Sequence, residues 1–112
     1  MIELKDFENV KKIVTKRGND IIYILKEPVF VTIIKKVSKL NRSYYFESSK
    51  YAETKNKIAY VVRVYSECNE IWSILIRIPG WHYGHEGERD YGSKDNSQWY
   101  VAPDMIELCR RI

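Results

Sequence analysis

Long apolar runs, an export leader and closely spaced cysteines are all missing from this 112-residue sequence. No stretch approaches the ~18 apolar residues that a membrane-spanning helix needs. The opening MIELKDFENVKK alternates acidic and apolar residues, and has neither the basic start nor the apolar segment of a signal peptide. A soluble protein of the cytoplasm is the resulting expectation. The two cysteines, Cys68 and Cys109, lie far apart and outside any metal-ligand spacing, so reduced thiols are expected. The glycosylation sequon at Asn41–Ser43 carries little weight in a chain read as intracellular.

Catalytic signatures are equally scarce. No serine stands in a nucleophile elbow, and neither cysteine has a histidine near it in sequence. Gly80, Gly84, Gly87 and Gly92 do not form a phosphate-cradling loop, because no helix follows them directly. Catalytic ingredients gather only in GWHYGHEGERDYG, where His82 and His85 are followed by Glu86, Glu88 and Asp90. These atom types suit zinc or manganese, or an imidazole–carboxylate acid–base pair. A metal site also needs a rigid frame with supporting hydrogen bonds, which a glycine-rich loop does not itself provide. No metal and no cofactor is therefore implied.

What the sequence does contain is an ordinary globular composition: 45% hydrophobic residues and 30% charged residues of mixed sign. Such a chain can bury a core, and its length is that of one domain. A formal charge of +4 tilts the choice of partner towards polyanions.

Along the chain, Leu4, Phe7, Val10, Ile13 and Val14 recur at helical spacing. Acids stand near the start of that stripe and bases near its end, with Gly18 as a stop. The pattern predicts an N-terminal helix within residues 1–18. IIYIL, Ile21 to Leu25, is buried as either strand or helix. KIAYVVRVYSECNEIWSILIRIPG predicts a β-hairpin over 58–79, turning near Cys68 and Asn69 and apolar on both faces. With a two-residue turn, Tyr65 should oppose Trp72, Arg63 should oppose Ile74 and Val61 should oppose Ile76. Residues 80–101 read as a long surface loop. Pro103, followed by Met105, Leu108, Cys109 and Ile112, predicts a C-terminal helix over 102–112.

The segment EPVFVTIIKKVSKLNRSYYFESSKYAE, Glu27 to Glu53, admits two readings. Its β-branched and aromatic residues suit two strands. Alternatively Thr32 and Asn41 cap two short helices around a turn at Ser38–Leu40, with Ile33, Ile34 and Val37, then Tyr45, Ser49 and Ala52, facing inward. On the helical reading, residues 20–57 followed by the hairpin resemble the winged helix-turn-helix DNA-binding domains. The resemblance implies a small α+β domain, winged-helix-like, with a central β-hairpin and helices at both termini. The alternative architecture is an antiparallel sheet flanked by terminal helices.

By that resemblance Arg42, Ser43, Tyr44, Glu47, Ser48 and Lys50 would be exposed on a reading helix in the major groove, with Lys35, Lys36 and Lys39 at phosphates. Lys55 and Lys57 would add to the electrostatic attraction. The expected function is then non-enzymatic binding of nucleic acid, duplex DNA in a regulatory role, by a chain that could dimerise. The same aromatics interleaved with cations also suit a stacking surface for single strands. Two other classes stay open. One is a small protein-binding inhibitor or accessory factor of a virus or mobile element, using the loop from Trp81 to Trp99. The other is an RNA-cleaving or metal-dependent enzyme using His82 or His85.

Overall fold

The computed structural model of the protein describes residues 1–46, 51–52, 57–81 and 98–109. Two tight turns set its frame. Gly18, at φ 62°, opens a turn with the sign pattern of type II′, whose first central residue must take positive φ. Around it Lys12–Arg17 (β1) folds back on Asp20–Ile33 (β2), with Arg17 opposite Asp20 and Lys12 opposite Leu25. Cys68 and Asn69, at φ 51° and 64°, form the second turn, with the signs of type I′. It joins Ile58–Glu67 (β3) to Glu70–Arg77 (β4). Gln98–Val101 (β5) and Ile106–Leu108 (β6) complete the sheet.

All pairings are antiparallel, in the order β1-β2-β3-β4-β5, with β6 joined to β2. The long β2 is the hub. β3 runs along one of its edges, while β1 and β6 share the other, β1 against Asp20–Leu25 and β6 against Val31–Ile33. The register between β2 and β3 jumps between Ile24 and Val29. Pro28 falls in that jump, where its missing N–H breaks no ladder bond.

One face of the sheet carries the core. Val31 and Ile33, Val61 and Val64, and Ile74 and Ile76 project there from β2, β3 and β4, onto Ile2, Phe7 and Met105. Phe46 stacks on Trp99 at 5.5 Å, and Trp81 meets both rings edge-on at 5.9 and 5.2 Å. Burying each such side chain contributes roughly 1.5–3 kcal/mol. Leu75 and Val62 alternate with these core positions, so they point to the opposite face, and they are buried too.

The α+β, winged-helix-like architecture is therefore corrected to an antiparallel sheet, and neither terminal helix forms. Apart from Tyr51 and Ala52, which have helical backbone, helical structure among the described residues is confined to 3-10 turns at Leu4–Phe7 and Pro103–Met105. The expected N-terminal helix is one such turn followed by β1. Phe7 of its stripe is buried, but Ile13 and Val14 are exposed, because β-branched Ile13, Val14 and Thr15 pair instead with Ile24, Tyr23 and Ile22. The expected C-terminal helix is a turn followed by β6, with Arg110, Arg111 and Ile112 outside the described residues.

The helix-turn-helix reading of residues 20–57 fails for the same reason. Thr32 is no helix cap but an interior residue of β2, opposite Ile58 and Glu107. Ile33 is buried while Ile34 and Val37 are exposed, so the three do not form one inward helical face. The loop expected over 80–101 closes at β5, which occupies its last four residues.

Candidate functional site

Beyond β2 the chain makes a small irregular hairpin, not a pair of helices. The Phe46 N–H donates to the Lys36 carbonyl at 2.8 Å, the Ser38 N–H to the Tyr44 carbonyl at 3.0 Å, and Val37 bridges Tyr45. Within it Ser38 Oγ accepts from the N–H groups of Leu40 and Asn41, and Asn41 Oδ1 accepts from the Ser43 N–H. Asn41 thus supports a turn rather than capping a helix.

The Asp104 carboxylate, 6% exposed, ties this hairpin to the end of the chain. It accepts from Ser38 Oγ at 2.6 Å and from the Lys39 N–H at 2.8 Å, and Lys35 Nζ lies 3.9 Å away. Burial alone would raise its pKa. The bonds from Ser38, Lys39 and its own N–H, with the Lys35 charge, outweigh that and hold the carboxyl below its ordinary value. Lys35 is thereby partly committed to structure.

A cluster of aromatic side chains lies elsewhere, of which Trp72 is exposed, Tyr44 and Tyr100 are half-buried and Tyr65 is buried. A recess of about 290 Å³ is lined by Arg17, Tyr44, Tyr65, Trp72, Ser73 and Tyr100. Tyr65 forms its floor, with Trp72 at 5.7 Å and Tyr100 at 6.1 Å between ring centroids. A bulge places Trp72. Ser66 pairs with Ile71 and Tyr65 with Ser73, which leaves Trp72 as the extra residue and turns it outward, 43% exposed. Its indole N–H donates to Asp20 Oδ1 at 3.1 Å, and Arg63 Nη1 donates to Tyr65 Oη at 3.3 Å.

The same bulge shifts the expected hairpin pairs. Tyr65 opposes Ser73 and Arg63 opposes Leu75, not Trp72 and Ile74, and a second bulge at Val62 restores Val61 opposite Ile76. Arg17 stands at the rim from the β1–β2 turn, and among the described residues no carboxylate lies within ion-pair distance of it.

Three larger depressions, of about 480, 320 and 610 Å³, border the N-terminal turn, and all three mix acids with bases. Only the one of 320 Å³ has aromatic side chains, Phe7 and Tyr23; Phe7 is buried there, and the Lys12 ammonium is spent on the Phe7, Glu8 and Val10 carbonyls.

Of the site residues expected from sequence, Tyr44 lines the recess, and Arg42 and Ser43 are exposed in the turn just before it. Lys36 is half-buried at the root of that hairpin, and Lys57 is exposed just before β3. Glu47, Ser48, Lys50 and Lys55 lie outside the described residues, as do His82 and His85 with the acids that follow them. Among the described residues no group of histidine, cysteine and carboxylate side chains could hold a metal ion. Trp81 and Trp99, expected as contact anchors, are instead packed around Phe46, and Trp81 is 1% exposed. Sequence reasoning missed Arg17, Tyr65, Trp72 and Tyr100 as members of one site. The signal available for Arg17, Tyr65 and Trp72 was a position near strand ends, beside the turns Gly18–Asn19 and Cys68–Asn69, and Tyr100 carried no such signal.

No known protein-family model matches this chain, and comparison with curated proteins and with solved structures finds no match either. Among the described residues, no helix is long and apolar enough to cross a membrane.

Proposed function

We propose that this protein is a non-enzymatic nucleic-acid-binding protein that seats unpaired bases in the recess of Tyr44, Tyr65, Trp72 and Tyr100. The observation that carries this reading is the recess itself: four aromatic side chains converge with a guanidinium at the rim. Every base has a π-face, so base–aromatic stacking tolerates any sequence and is worth roughly 1–3 kcal/mol per base. Arg17 meets the backbone phosphates, with Arg42 as a second contact from the neighbouring turn. The overall charge of +4 acts in the same direction. With the irregular hairpin of residues 36–46 where the two helices were expected, the expectation of a helix in the major groove of duplex DNA gives way to single-stranded DNA or RNA.

The test is fluorescence anisotropy with labelled 12-nucleotide single strands and the matching duplex, at low and near-physiological salt. Single strands should bind more tightly than duplex. Trp72→Ala should weaken that binding about tenfold, in line with a stacking contribution of roughly 1–3 kcal/mol. Arg17→Ala should flatten the salt dependence by about 0.7 in the log–log slope. Absence of binding at low salt, or indifference to Trp72→Ala in a variant with unchanged circular dichroism, overturns the reading.

A further inference from the structure

Strand β1 is exposed along almost its entire length, on both faces. Ile13 is 48% and Val14 56% exposed. The closing pair of its hairpin is Arg17–Asp20, and the ladder still runs at the far end, where the Lys26 N–H donates to the Lys11 carbonyl at 2.8 Å. Antiparallel ladders alternate, so Thr15, Ile13 and Lys11 bond inward to β2, while the backbone N–H and C=O of Lys12, Val14 and Lys16 point away from it. No strand lies on that side among the described residues, where β1 pairs with β2 alone.

Sheet edges are usually blunted by a proline, a bulge, brevity or charged side chains, lysine above all. Of these devices β1 has only the last, through Lys12, Lys16 and Arg17. Its register with β2 is continuous over all six residues.

Its charge decides what can lie there. Lys11 and Lys16 are exposed, and among the described residues neither has a carboxylate within ion-pair distance. A second copy of β1 is a poor occupant. Antiparallel pairing that engages all three outward residues is centred on Val14, and it sets Lys12 against Lys16. Like charges directly opposite on one face destabilise a pair of strands.

An acidic strand with apolar residues at its centre meets the opposite situation. Its carboxylates face Lys11 and Lys16, its apolar side chains cover Val14 and Ile13, and its backbone satisfies the outward groups of β1. We infer that β1 is a docking edge for an extended acidic segment of a partner protein, which adds to the sheet as a strand. This interaction is separate from the nucleic-acid reading, because it uses the edge of the sheet and the backbone of β1 rather than the recess.

The probe is the capped peptide Glu-Glu-Thr-Val-Ile-Glu-Glu, titrated into the whole protein and followed by amide chemical shifts and solvent exchange. Binding should move the amides of Lys12, Val14 and Lys16 and slow their exchange by tenfold or more. The double substitution Lys11→Glu with Lys16→Glu, at exposed positions, should weaken it at least tenfold. A peptide N-methylated on the amides that would face β1 keeps every side chain, and should bind at least tenfold more weakly. Equal binding by the N-methylated peptide, or by a peptide with lysine in place of each glutamate, overturns the inference. So does exchange of these amides that is already slow in the free protein and becomes slower with protein concentration, since a second copy would then occupy the edge.

Discussion

Strands β1 and β3 lie on opposite edges of the same partner, β2, and both are rich in β-branched residues, yet they have opposite fates. β3 is buried on both faces through Val61, Val62 and Val64, whereas Ile13 and Val14 of β1 face solvent. The difference is position. β3 has β4 on its other side and the aromatic core above it, while among the described residues β1 has a neighbour on one side and no cover. Apolar side chains in a strand thus do not state their own burial. The sheet divides into a part whose side chains hold the fold and a part whose side chains remain available.

The sharpest way to break this contrast is to make the same substitution on both sides of it. Ile74→Ala, in the buried β4 beside β3, should lower the unfolding free energy by about 2–5 kcal/mol in a urea titration.

Next in size is the fastening of β6, which shares an edge of β2 with β1 but is tied down through Asp104. Asp104→Asn should destabilise the protein by about 1.5–3 kcal/mol at neutral pH. The folded carboxyl is held below its ordinary pKa of about 3.9, so its stabilisation is complete above that value and is lost as pH falls through the lower folded one. Thermal unfolding from pH 6 down to pH 2 should show this acid-side loss in the wild type, and less of it in the Asn variant.

At the opposite edge of the sheet, Gln98 of β5 is 1% exposed, and among the described residues neither atom of its amide has a hydrogen-bond partner. Gln98→Leu should raise stability by about 1 kcal/mol, because it removes a buried polar group without breaking a bond. A loss in the denaturation midpoint would show that the amide is satisfied after all. The smallest effect belongs to Ile13→Ala, which should change stability by less than about 0.5 kcal/mol. A loss comparable to that of Ile74→Ala would show that β1 is covered in solution.

The hairpin β3–β4 was legible in the sequence, since long runs of β-branched residues on both sides of a short polar turn have few other solutions. The terminal strands were not. Gly18 followed by Asn19 signals positive φ, and that geometry ends a helix as readily as it turns a hairpin. Spacing at Leu4, Phe7, Val10, Ile13 and Val14 suits a helical stripe, but only an available partner strand, Ile21–Leu25, decides between the two, and pairing is a non-local fact. Of the recess, only Tyr44 was singled out in the sequence, and there on a helix whose place the hairpin of residues 36–46 takes. The rest of the recess was not, because Arg17, Tyr65, Trp72 and Tyr100 come from four strands, and Trp72 joins them through a bulge that no local pattern marks.

The pairing of β6 with β2 also sets the timing of biosynthesis. Ile33 and Ile106 face each other although 73 residues separate them in the chain. A ribosome has therefore made and released most of the sheet before the strand that closes the far half of β2 can arrive. During that interval the edge at Val31–Ile33 stands open, with unpaired backbone groups beside two fully buried apolar side chains of the finished fold. Slow, non-local pairing of this kind leaves nascent chains vulnerable to joining one another. Pairing of Ile106–Leu108 with Val31–Ile33 is the step that removes this exposed edge.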